Sequence, residues 1–163
     1  MASKLERKPI VLRNIGVLFR NFSGEARRYN NAGDRNFNAA VSEEQAAMLR
    51  DMGFYIRDLP PRDEWSEPTH CLKVKVSYRF DPPNVKLSTS RCVRELTEDT
   101  IDELDHVSIE HCDISIMPSG WTQADGRSGV TAYLWSMRAA MLEDPLDYDE
   151  AGMPLADEEE VPF

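Results

Sequence analysis

The chain has 163 residues, 41% of them hydrophobic, with 19 basic and 29 acidic side chains and a formal charge of -10. That length buries one core and leaves room for a disordered tail, but not for a second ordinary domain. No run of about eighteen apolar residues occurs and the N-terminus lacks an apolar signal core, which predicts a cytoplasmic protein that neither spans a membrane nor follows the usual secretory route.

In chain order, Ile10 to Phe19 is rich in Ile, Val, Leu and Phe and reads as one long first strand with a buried face. Ser23 to Gly33, with Gly24, Asn30, Asn31 and Gly33 around Arg27, Arg28 and Tyr29, reads as an exposed, positively charged loop. A second strand is expected over Arg35 to Val41. Ser42 before Glu43, Glu44 and Gln45 then predicts a helix N-terminus, with Ala46, Met48, Leu49 and Met52 as its apolar side and Gly53 as its stop. Phe54 to Leu59 resumes an extended pattern until Pro60-Pro61 breaks it.

The cleanest alternation lies between His70 and Phe80, where Leu72, Val74, Val76, Tyr78 and Phe80 form one face and Lys73, Lys75, Ser77 and Arg79 the other. Pro82-Pro83 makes a turn and Val85 and Leu87 continue as a strand. From Val107 to Met117 the apolar parity switches between Ile109 and Cys112, which places a bulge near Glu110 and His111. Asp125-Gly126 is the strongest hairpin signal, leading into a last strand over Val130 to Met141. Short strands joined by Gly and Pro turns, with one or two short helices, predict a mainly β fold built as a small barrel. Cys71, Cys92 and Cys112 suggest buried reduced thiols. His70, His106 and His111 have no ligand spacing, so neither a metal nor a cofactor is expected.

The charge is unevenly placed. Nine of the 29 acidic residues and no basic one lie from Glu143 to Phe163, so the rest of the chain carries 20 acidic against 19 basic. We therefore expect a folded domain over residues 1–142 and a disordered acidic tail over residues 143–163. Sequence-independent binding of single strands needs cations to neutralise phosphates and aromatic faces on which bases stack. The chain interleaves both: Arg27, Arg28 and Tyr29; Arg35 near Phe37; Lys73, Lys75 and Arg79; and Trp121, Tyr133 and Trp135 around the last hairpin. Phe37, Tyr78 and Trp135 have a competing place in the core of a small barrel.

The tail has its own pattern, Asp157, Glu158, Glu159 and Glu160 followed by Val161, Pro162 and Phe163. An apolar tip with carboxylates beside it suits a small pocket ringed by Arg or Lys. It resembles the tail of bacterial and phage single-stranded DNA-binding proteins. What that resemblance implies is recruitment of replication or recombination enzymes such as a polymerase, helicase, primase, recombinase or nuclease. A second resemblance runs through Asn21-Phe22-Ser23-Gly24, Tyr29-Asn30, Gly33-Asp34-Arg35-Asn36-Phe37, Pro82-Pro83 and Gly129-Val130-Thr131-Ala132-Tyr133-Leu134. It is similar to a group of single-stranded DNA-binding proteins of tailed phages. That implies an oligonucleotide-binding (OB-fold) barrel that coats single-stranded DNA during phage replication or recombination in the host cytoplasm.

Three other readings compete. No G-x-S-x-G, phosphate-binding loop or H-E-x-x-H is present, which leaves catalysis without a motif. An acidic DNA mimic that occupies a host enzyme's groove would explain the net charge, but not its concentration in the last twenty-one residues. A double-strand or RNA binder would use the same stacking and phosphate contacts. An exposed barrel edge would also let two copies pair as a homo-oligomer.

Overall fold

The computed structural model describes residues 8–141 except Tyr29, Arg62, Phe80, Asp81 and Ser90. The expected tail over residues 143–163 lies outside the described residues. The stretch expected as one first strand is two, β1 (Ile10–Leu12) and β2 (Gly16–Asn21). Asn14 between them has a left-handed φ of 56°, which Asn tolerates better than most residues. Its N–H donates to Asp113 Oδ1 at 2.8 Å. The chain turns there, so β1 pairs with β8 (Ile109–Thr122) while β2 pairs with β3 (Arg35–Val41).

The sheet runs β1-β8-β9-β5-β3-β2, where β5 is Thr69–Val76 and β9 is Ser128–Met141. Every contact on this path is antiparallel except β5 with β9. The two end strands of the path are consecutive in the chain, and Ile15 N–H between them donates to Cys112 O of β8 at 2.9 Å. Counting β1 and β2 as one interrupted strand, this is the five-stranded, partly open arrangement of an OB-fold-like barrel. Three further strands extend it. β4 (Arg57–Leu59) pairs with β5, β6 (Asn84–Ser88) runs parallel to β9, and β7 (Val93–Leu96) covers β6.

The helix α1 (Glu43–Asp51) forms where its caps demand. Gln45 N–H donates to Ser42 Oγ and Ser42 N–H to Gln45 Oε1, a capping box that satisfies two amides at the helix start. Gly53 ends it at a φ of 99°. Ala46 and Leu49 face the core, whereas Met48 stands exposed. Neither β7 nor the 3-10 helix Ile101–Asp105 is foreshadowed by periodicity.

Inward side chains from four strands meet in the barrel, with Phe37 and Ala39 from β3, Leu72 and Val74 from β5, Ile114 and Ile116 from β8, and Leu134 and Met137 from β9. Phe22 stacks on Phe37 with ring centroids 5.0 Å apart. Two bulges keep the long β8–β9 pair curved. One falls at Glu110, where Ile109 pairs with Met141 and His111 with Ala140, as the parity switch foretold. The other falls at Trp135, since Ile116 pairs with Leu134 and Ser115 with Ser136. It moves the inward set of β9 from Ala132 and Leu134 to Met137 and Ala139. Cys71 and Cys112 are buried thiols, and burial pushes Cys112 up to about 12; Cys92, expected to match them, is only half-buried.

Candidate nucleic-acid interface

Side chains alternate across a strand, so the residues between the core positions share the outer face. On β3 these are Asn36 and Asn38, on β5 Lys75 and Lys73, and on β9 Tyr133. Register places Asn36 opposite Lys75 and Asn38 opposite Lys73, while Lys75 is itself opposite Tyr133 on the parallel side. One row of three strands therefore reads amide, ammonium, phenol. Lys73 and Lys75 are exposed and make no ion pair among the described residues.

The connection from β2 to β3 builds a wall beside this row. Buried Asn21 accepts from Glu25 N–H at 2.9 Å and donates to Glu25 O at 3.1 Å. Asp105 of the 3-10 helix accepts from the N–H groups of Phe22 and Ser23 at 2.8 and 3.0 Å, which ties the loop to the body. Asn30 Nδ2 donates to the carbonyls of Glu25 and Asp34. Gly24 has a φ of 74°, and a Cβ there would come within 3.2 Å of the Gly33 backbone, so the crossing needs glycine.

Between wall and strands lies a groove of about 550 Å³, lined by Asn30, Asn31, Asn36, Lys73, Lys75, Tyr78, Arg79 and Tyr133 among others. Arg35 is at its base, 3.5 Å from Glu98 and over the Tyr78 ring at 5.5 Å, and is only 21% exposed. Tyr78 Oη and Arg35 Nε are buried there without a hydrogen-bond partner. Burial pushes the Tyr78 phenol above its ordinary value, with the Arg35 charge opposing.

The structure thus brings Arg35, Lys73, Lys75, Arg79 and Tyr133 together and separates the rest of the expected set. Phe37 is 0% exposed and stacked on Phe22, so it belongs to the core and cannot offer a face to a base. Its parity on β3 matches Ala39 and Val41, which point inward. Arg27 turns back to the Arg20 carbonyl at 3.3 Å and to Glu25 at 3.6 Å, and neither it nor Arg28 lines the groove. Tyr29 and the tail residues Asp157 to Phe163 lie outside the described residues. Trp121, 42% exposed, lies across from Gly129, where a Cβ would come within 2.6 Å of the indole. It shares the outer face with Tyr133 but not the groove. Trp135, 41% exposed, lines a second groove with Arg13, Lys86 and Arg138.

Sequence reasoning missed Asn30, Asn31 and Asn36 as groove residues. The outward parity of Asn36 was available as a signal; the wall was not, because it depends on hydrogen bonds to Asn21 and Asp105.

Residues 2–162 match the family described as "Putative phage ssDNA-binding domain". No curated protein matches the sequence. Among solved structures, the fold is similar to that of the single-stranded DNA-binding protein from bacteriophage Enc34. The TM-score is 0.53 at 13% identity, covering 96% of this chain and 97% of that one. A C-terminal truncation of the Enc34 protein gives 0.56 at 14% identity, covering 89% and 99%. The single-stranded DNA-binding protein gp2.5 of bacteriophage T7 gives 0.46 at 9% identity, covering 85% and 89%. At these identities the likenesses to the two Enc34 structures bear on the fold alone.

Proposed function

We infer, because this chain belongs to the phage ssDNA-binding domain family, that it binds single-stranded DNA along the outer face of β3, β5 and β9. The observation that carries this reading is the register pairing of Lys75 with Tyr133, a cation beside an accessible ring, continued by Lys73 and Asn36. Phosphates sit against Lys73 and Lys75, and a base stacks on Tyr133. An ammonium and an aromatic face do not distinguish one base from another, so the binding is sequence-independent and weakens with salt. The protein works as a binding module that coats single strands in phage DNA replication or recombination.

The acidic segment Asp157 to Glu160, with Val161, Pro162 and Phe163 after it, acts in this reading as a second binding element. Tethered to the folded domain, it competes with DNA for the cationic face at roughly millimolar effective concentration. DNA in the groove releases it to a replication or recombination enzyme.

The test is a fluorescence-anisotropy titration of labelled oligo(dT) and of the matching duplex, at two salt concentrations, with the whole chain and with a truncation after Leu142. Preference for the single strand, loss of affinity with salt and a gain on truncation support both parts. Absence of binding by either form, with tight binding to a DNA-handling enzyme, would replace the reading with the DNA mimic.

A further inference from the structure

The outer face continues past Tyr133. The β9 bulge makes Trp135 and Ser136 follow one another on the outside, after which Arg138 points outward too. Parallel pairing sets Asn84 of β6 against Ser136 and Lys86 against Arg138. On the other flank Asp113 of β8 opposes Arg138, and β1 adds Val11 opposite Ser115, with Arg13 just beyond the strand. These side chains line a groove of about 580 Å³.

Two features of this groove call for an anionic ligand. Lys86 and Arg138 are cations held in register on adjacent strands, an arrangement that opposes folding unless something negative compensates it. Neither makes an ion pair among the described residues, although Glu95 stands opposite Lys86 on β7. Asp113, the one acidic lining residue among the described residues, is already engaged. It accepts from Asn14 N–H at 2.8 Å and lies 3.1 Å from His111 Nε2 and 3.6 Å from Arg13. Beside the cations, Trp135 offers an accessible ring two residues from Tyr133, about 7 Å along the strand.

We propose that this groove is a second segment of the single-stranded DNA track, taking phosphates at Lys86 and Arg138 and a base on Trp135. It rests on the reading of the Lys75–Tyr133 groove as the first segment, since the strand passes from Tyr133 to Trp135 over the bulge. The bulge is what makes this continuation possible, because an unbroken β9 would turn Arg138 away from the face that carries Tyr133.

Anisotropy with oligo(dT) of about 5 and about 15 nucleotides, spanning the site sizes of such folds, tests it on the full chain. The unaltered protein binds the longer strand more tightly. Trp135→Ala combined with Lys86→Gln and Arg138→Gln weakens the longer strand roughly ten-fold or more and leaves the shorter within about two-fold, whereas Lys73→Gln with Lys75→Gln weakens both. Full retention of long-strand affinity by the triple variant, with loss in the lysine pair, overturns the second segment and spares the first. No binding by the unaltered protein overturns both. A variant with Trp65→Phe and Trp121→Phe, which keeps Trp135 as the sole indole, gives an independent reading. Its fluorescence is quenched by the long strand and not by the short one; absence of quenching by the long strand overturns the proposal.

Discussion

The two sides of β5 and β9 are made by the same residues in alternation and obey different constraints. Leu72 and Val74 on β5 and Leu134 and Met137 on β9 are buried, each packed against side chains from other strands. Lys73, Lys75, Tyr133 and Trp135 lie between or beside them and are exposed, the two rings in part. The inner side is over-determined by its neighbours, so its cost of change is paid in folding. The outer side is held by the strands alone, which separates binding from stability. The loop wall sits between these limits, since Asp105 connects it to the body.

Substitutions can break that contrast. The largest effect is expected inside: Phe37→Ala removes a fully buried ring and its stack on Phe22, and should lower stability by about 3–5 kcal/mol in urea unfolding. Comparable loss from Tyr133→Ala would erase the distinction between the faces. Asp105→Ala leaves the N–H groups of Phe22 and Ser23 without their acceptor, and should cost about 1–3 kcal/mol of stability and weaken oligonucleotide binding as the wall loosens. Tyr133→Ala should cost about 1–3 kcal/mol of oligo(dT) affinity in anisotropy, with the melting midpoint nearly unchanged. Lys73→Gln with Lys75→Gln should make the slope of log affinity against log salt shallower by about 1.4, as two phosphate contacts are lost. Smallest of all, Lys73→Ala alone should move unfolding stability by less than about 0.5 kcal/mol.

Much of the fold was legible because its signals are local. The strand Arg35–Val41, the Ser42 cap and Gly53 stop of α1, the alternation through Lys73 and Lys75, the bulge at Glu110 and the Asp125-Gly126 turn each depend on a few adjacent residues. The division of the first strand was not legible. Ile10 to Phe19 is apolar on both sides of Arg13 and Asn14, and the Asn14 contact to Asp113, ninety-nine residues away, shows why the chain turns there. Nor was the bulge at Trp135, since Tyr133, Trp135 and Met137 share a parity that a regular strand would put on one face. β7 has too few apolar residues to announce itself.

The sequence by itself determined which side chains alternate, where α1 starts and stops, and that cations and aromatics occur together in the chain. Tertiary structure alone decided which of them meet. Lys75 and Tyr133 become neighbours through the short parallel pairing of β5 with β9, Phe37 meets Phe22 in the core, and Trp135 is turned toward Arg13, Lys86 and Arg138 by a bulge. The physical reason is that periodicity specifies a face within one strand, whereas a site depends on the register between strands, which is set by long-range hydrogen bonding and core packing.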